Sequence, residues 1–214
     1  VYYEKAIHLK QEDVDAHTNM GFWYLLRGGD NQLDFAKQEC EIAIQLMEKD
    51  NGNYPWTYIC LASVYKKLGL MVEQHAAIEK ARKLFELHIG QDATNFWAYF
   101  GLGCCCTEGE RKDIAKAIEC DKRALKIKPD FVPAQYNLAC DFALKGAAPE
   151  AVAALSDILS GPRDVLKFFG IESDLDFKAI ATTGEFVRFM DTMNLKYSHR
   201  SLESELKNAE AISK

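Results

Sequence analysis

A six-residue phrase recurs four times along this 214-residue chain. It reads AHTNMG from Ala16, TYICLA from Thr57, AYFGLG from Ala98 and AQYNLA from Ala134. Each copy ends in a large apolar residue followed by glycine or alanine: Met20-Gly21, Leu61-Ala62, Leu102-Gly103 and Leu138-Ala139. Three residues on stands Tyr24, Tyr65, Cys106 or Phe142, and a glycine-bearing turn follows at Gly28, Gly69, Gly109 and Gly146. Self-similarity at this spacing predicts stacked repeats that share faces with their neighbours, not a single globular core. A chain of that kind binds through an extended built surface, and the pattern argues against a catalytic pocket.

A second phrase interleaves with the first. An apolar residue is followed three positions on by a small one and then by further apolar residues: Tyr3, Ala6 and Leu9; Cys40, Ala43 and Leu46; Ile78, Ala81 and Leu84. Ala124 with Ile127 and Leu155 with Ile158 repeat it with departures. This spacing follows one face of a helix. Each unit therefore reads as two amphipathic helices joined by a short turn. The small residues mark places where two helix backbones approach closely, so that Tyr24 and Tyr65 fill the groove between helices.

These residues resemble the tetratricopeptide repeat family. That family carries an aromatic residue, Leu-Gly and Tyr on its first helix, a spaced Ala, aromatic and Ala on its second, and Pro just after. Lys128-Pro129-Asp130 closes one unit in that manner, and residues 131–160 follow the pattern apart from Ile158 in place of a small residue. The middle units depart from it: extra residues fall at 29–34 and 108–113, and Asp121 replaces a large residue. The resemblance implies an all-α, right-handed α-solenoid of helix-turn-helix repeats over 1–161, a leading half-hairpin at 1–9 and about four full hairpins. Because the chain opens inside the second helix of a repeat, preceding residues are expected.

After Gly161-Pro162, which stops a helix, the pattern changes. Ser173 or Asp174 can cap a short helix running to Ala181, and Thr183 a second with the stripe Phe186, Phe189, Met190 and Met193. This stretch resembles the closing segment of bacterial and plastid tetratricopeptide arrays, so residues 162–195 are expected to cover the apolar face of the last repeat near Leu155 and Leu159. Residues 196–214 carry a thin stripe of Leu202, Leu206, Ala209 and Ile212. A docked helix, a solvated extension and a ligand for the protein's own groove are all open to them.

The composition narrows function further. A formal net charge of −6 offers no basic field for nucleic acid. No apolar run reaches the ~18 residues of a membrane span. Seven cysteines, an odd number with no CxxC pair, suit a reducing compartment inside the cell and small core-filling side chains. Successive residues of Cys104–Cys106 point about 100° apart on a helix, so the run cannot chelate one ion. Cys104 and Cys140 occupy equivalent places in neighbouring units, which leaves a paired-thiol site as an alternative. The five histidines are scattered and no phosphate loop is present. No catalytic set, cofactor or metal site is expected.

In the tetratricopeptide family the partner usually lies against the concave face lined by the first helices. The resemblance places Thr18, Asn19, Phe22 and Leu25 there, then Trp56, Ile59, Ser63 and Lys66. Trp97, Phe100 and Cys104 follow, and Tyr136, Asn137 and Cys140 complete the surface. It is aromatic and apolar with few charges, and two tryptophans are costly to leave wet without a purpose. Family members that bind the acidic C-terminus of cytosolic chaperones use a Lys, Asn and Arg clamp; here Asn19 and Asn137 match, but Phe22, Trp56 and Trp97 replace its polar members. A terminal carboxylate would lack a cation. The expected function is a non-catalytic protein–protein interaction scaffold, an assembly factor or complex subunit that holds an apolar or amphipathic partner segment. Two other readings stand beside it: a targeting or regulatory arm of a larger enzyme, and a thiol-responsive scaffold.

Overall fold

The computed structural model describes residues 13–29, 31–50, 52–108, 112–158, 170–171 and 174–193. The half-hairpin expected at 1–9 and the tail at 196–214 lie outside them. All regular elements among the described residues are helical. They divide into two compact units whose boundary falls between Asp113 and Ile114. Where the repeats read in sequence as one array, the chain changes unit at the end of the inserted stretch 108–113.

The first unit holds two helical hairpins and a fifth helix: α1 (Val14–Arg27) with α2 (Gln32–Asp50), α3 (Pro55–Leu68) with α4 (Met71–Gln91), then α5 (Phe96–Thr107). Starts and stops follow local chemistry. The Asp13 and Asn95 side chains accept the amides of Ala16 and Ala98, each at 3.0 Å, and satisfy donors that a helix start leaves free. Pro55 begins α3, where its missing N–H costs nothing. Gly69 ends the same helix with φ 71°, a left-handed conformation that a side chain would oppose.

The repeated phrase marks where the helices meet. Ala62 is buried on α3, and Gly21 and Gly103 are buried on α1 and α5. At Gly21 a methyl group would stand 3.0 Å from the Cys40 sulfur and 3.1 Å from that of Cys60. Gly101 is tighter still: a methyl there would run into the ring of Phe85, which α4 sends beneath α5. The first residue of each phrase is also buried, as Ala16, Thr57, Ala98 and Ala134. Thr18 on α1 and Thr57 on α3 share a 2.7 Å hydroxyl–hydroxyl hydrogen bond, and His17 bonds Glu39 on α2 at 2.7 Å.

The second unit contains α6 (Ile114–Ile127), the hairpin of α7 (Val132–Leu144) with α8 (Ala148–Ile158), a 3-10 turn η1 (Leu175–Ala179) and α9 (Gly184–Thr192). Asp174 caps η1 by accepting the amide of Asp176, and Thr183 caps α9 by accepting that of Phe186. The short helix ends at Ala179, two residues before its expected end. Phe177 and Phe186 stack at 5.4 Å, fully buried, and with Ile180, Phe189 and Met190 form one core with Leu155, Ile158 and Ala139. Burying such a side chain contributes about 1.5–3 kcal/mol, so the closing segment is an energetic part of this unit.

Candidate interaction surface

The first helices of the two leading hairpins and α5 carry the candidate surface of the first unit. Trp56 and Trp97 hold the same place in successive repeats, immediately before the phrase. Their rings lie 6.0 Å apart, edge to face. Phe100, one turn on from Trp97, lies 5.5 Å from Trp56 and 6.0 Å from Trp97, and Phe96 lies 5.6 Å from Trp97. Phe85 supports the group from below, edge-on to Trp56 at 5.3 Å. Such offset and edge-on pairs add attraction beyond burial alone. Trp56 is half-buried by these neighbours, whereas Trp97 keeps 48% of its surface exposed.

Beside the two tryptophans is a recess of about 190 Å³. Phe85 and Pro55 form apolar parts of its wall, with Asp15, His88 and Asn95 at its polar side. Its wall is drawn from helix starts, from Phe85 and His88 late in α4, and from Asn53 and Tyr54 of the connection before α3.

The remaining expected surface residues have varied placements. Asn19 is exposed, and Ile59 and Cys104 are half-buried. Ser63, also half-buried, turns its hydroxyl back to the Ile59 carbonyl at 3.0 Å. Phe22 packs between helices against Leu25, Val64, Cys40 and Cys60. Lys66 is exposed but pairs with Glu108 at 2.9 Å, and Gln74 bonds the same carboxylate. In the first unit two placements differ from a surface role: Thr18 is buried in its bond to Thr57, and Leu25 is a core residue. Each sits on a first helix, but its side chain turns toward the neighbouring helix.

In the second unit Asn137 is half-buried, while Tyr136 and Cys140 are buried. The closing segment covers them. Tyr136 packs on Phe177 at 5.9 Å and donates its hydroxyl to Asp174 at 2.7 Å. Burial above all, then Cys140 and the acids Asp174 and Asp176, pushes the Tyr136 phenol well up. The equivalence that placed these residues beside Trp56 and Trp97 holds along the sequence, but η1 fills the space in front of them.

Six of the seven cysteines are buried and Cys104 is half-buried. Cys104 and Cys140 fall in different units. Cys40 and Cys60 meet within the first unit, and their mutual hydrogen bond, together with burial, holds Cys60 protonated far above the ordinary range. Among the described residues, no helix is long and apolar enough to cross a membrane.

The repeated phrase, the paired helices and the capped end define the class: this is a tetratricopeptide-repeat fold. No known family profile matches the chain. Over 159 residues it is 28% identical to the peroxisomal targeting signal receptor of Saccharomyces cerevisiae, a match covering 74% of this chain and 23% of that protein. The chain thus spans less than a quarter of that relative's length. Among solved structures it is similar to TTC0263, a thermophilic TPR protein of Thermus thermophilus. That likeness has a TM-score of 0.50 and 15% identity, and covers 94% of this chain and 100% of the other. YrrB, described as a TPR protein with an unusual peptide-binding site, matches with a TM-score of 0.45 and 18% identity over 95% of this chain and 97% of its own.

Proposed function

We propose that the chain is a non-catalytic interaction scaffold. It holds an apolar or amphipathic segment of a partner protein against the aromatic surface of the first unit, as an assembly factor or a subunit of a larger complex. The observation that carries this reading is Trp97, half-exposed on a rigid helix and backed by Trp56 and Phe100. Half-wet tryptophans on a supported surface are typical anchors of protein interfaces. The relative in Saccharomyces cerevisiae is by name a receptor for a targeting signal, a role that requires reading a segment of another protein.

The surface selects against acidic chain ends. Lys66 is already committed to Glu108, and Asp15 adds negative charge at the recess. A carboxylate entering there would be desolvated without a counter-ion. The test is a pull-down with the intact chain, compared with a Trp56→Ala/Trp97→Ala variant whose helicity is confirmed by circular dichroism. Partners recovered by the wild type and lost by the variant are expected. Retention of every partner by the variant would move binding off this surface.

A further inference from the structure

The second unit gathers an unusual number of acids around one buried thiol. Cys140 on α7, and Asp174 and Asp176 at the start of η1, bring one sulfur and two carboxylate oxygens within 4.8 Å of one another. Asp174 is held from two sides: it accepts the amide of Asp176 at 3.0 Å and the hydroxyl of Tyr136 at 2.7 Å, with the Cys140 sulfur 3.9 Å from the same oxygen. Supporting bonds of this kind orient a metal ligand before the ion arrives.

A second observation is independent of that cluster. Asp141, the next residue along α7, is 2% exposed, and one of its carboxylate oxygens has no hydrogen-bond partner among the described residues. Asp176 is the charged neighbour that acts on it. Asp121 on α6 is 1% exposed and also has an oxygen without a partner. A buried group of acids with orphaned oxygens is costly unless protons or a cation offset its charge.

We propose that Cys140, Asp174 and Asp176 form a binding site for a zinc-type divalent cation. The donor set decides the class. A thiolate disfavours magnesium and calcium, which take oxygen ligands, whereas zinc accepts sulfur and carboxylate oxygen together. Three protein ligands leave a fourth tetrahedral position for water or for a group supplied by a partner. On binding, the Cys140 thiol gives its proton to solvent and the sulfur becomes the ligand. Because one ligand lies on the last hairpin and two lie on η1, the ion would fasten the closing segment to α7. This site does not rest on the interaction reading of the first unit.

The experiment uses the full chain, stripped with chelator and titrated with Co²⁺ as a spectroscopic stand-in for zinc. One equivalent is expected to bind with a thiolate-to-cobalt charge-transfer band. Cys140→Ser should abolish that band, and Asp176→Asn should weaken binding about tenfold or more, with circular dichroism unchanged. Zinc should raise the Tm of the wild type and not that of Asp176→Asn. Absence of the band in the wild type, its persistence in Cys140→Ser, or equal affinity in Asp176→Asn overturns the site. If Cys140→Ser does not fold, the wild-type band and the Asp176→Asn titration decide.

Discussion

Gly101 shows how much of this fold rests on single atoms. The Phe85 ring occupies the volume that a Cβ at residue 101 would need. The intruding group is a fully buried aromatic ring and not the tip of a flexible side chain, so Gly101→Ala must displace Phe85 and disturb Trp56 above it. The expected loss is about 1–3 kcal/mol, the usual range for overpacking, read from the midpoint of chemical denaturation. Asp121 gives a prediction of different character. Burial, and secondarily Asp141, raises its carboxyl to about 9. The folded chain therefore keeps a proton that the unfolded chain, with an aspartate near ~3.9, has already released. The contribution of Asp121 is fully present below the unfolded value, declines as pH rises and is gone once pH passes about 9. The slope is up to about 1.4 kcal/mol per pH unit. In chelator-treated protein, Asp121→Asn should flatten the fall in Tm between mildly acidic and mildly alkaline buffer and be the more stable form in the latter. An unchanged pH profile would contradict this account. The sequence singled out Asp121 as the wrong residue for its place, yet its partner Asp141 lies on another helix and no local pattern links them.

The helices were legible because their signals are local. Asp13, Asn95, Asp174 and Thr183 cap the helices that follow them, and Pro55 and Pro133 stand in first turns where proline is tolerated. The small residue closing each phrase is buried, and at Gly21 the neighbouring helices come so close that even a methyl group would crowd two sulfurs. What each helix faces was less legible, since helical periodicity identifies an apolar face without naming its neighbour. Leu25 and Tyr136 share repeat faces with groove residues, but one turns into the α1–α2–α3 core and the other is covered by η1. The cap was visible through its Phe186, Phe189 and Met190 stripe, and its worth can be measured. Phe186 is fully buried and stacked on Phe177, so Phe186→Ala should cost about 3–5 kcal/mol. The second unit should then expose the Leu155–Ile158 face and aggregate on warming. A variant that melts like the wild type and remains monodisperse would show that the cap does not hold this unit together.

At the scale of the whole chain, charge and surface point in different directions, and that separates two modes of binding. The net charge is −6, which would favour basic partners through a long-range field that salt screens. The candidate surface instead offers aromatic rings, and its basic side chain, Lys66, is paired. Affinity for the partner should therefore change only modestly with ionic strength while depending strongly on the tryptophans. The two rings are not equivalent probes. Trp56 packs on Phe85 and Phe100, so its truncation disturbs the fold as well as the surface. Trp97 is 48% exposed, and its removal should lower the melting temperature less than removal of Trp56. Trp97→Ala is thus the cleaner test. Binding measured by calorimetry with the partner recovered from the pull-down should weaken by about 2 kcal/mol or more, a typical anchor contribution. The loss should be nearly the same at low and at high salt. A steep salt dependence in the wild type, with little effect of Trp97→Ala, would assign recognition to the acidic surface and remove the aromatic site from the account.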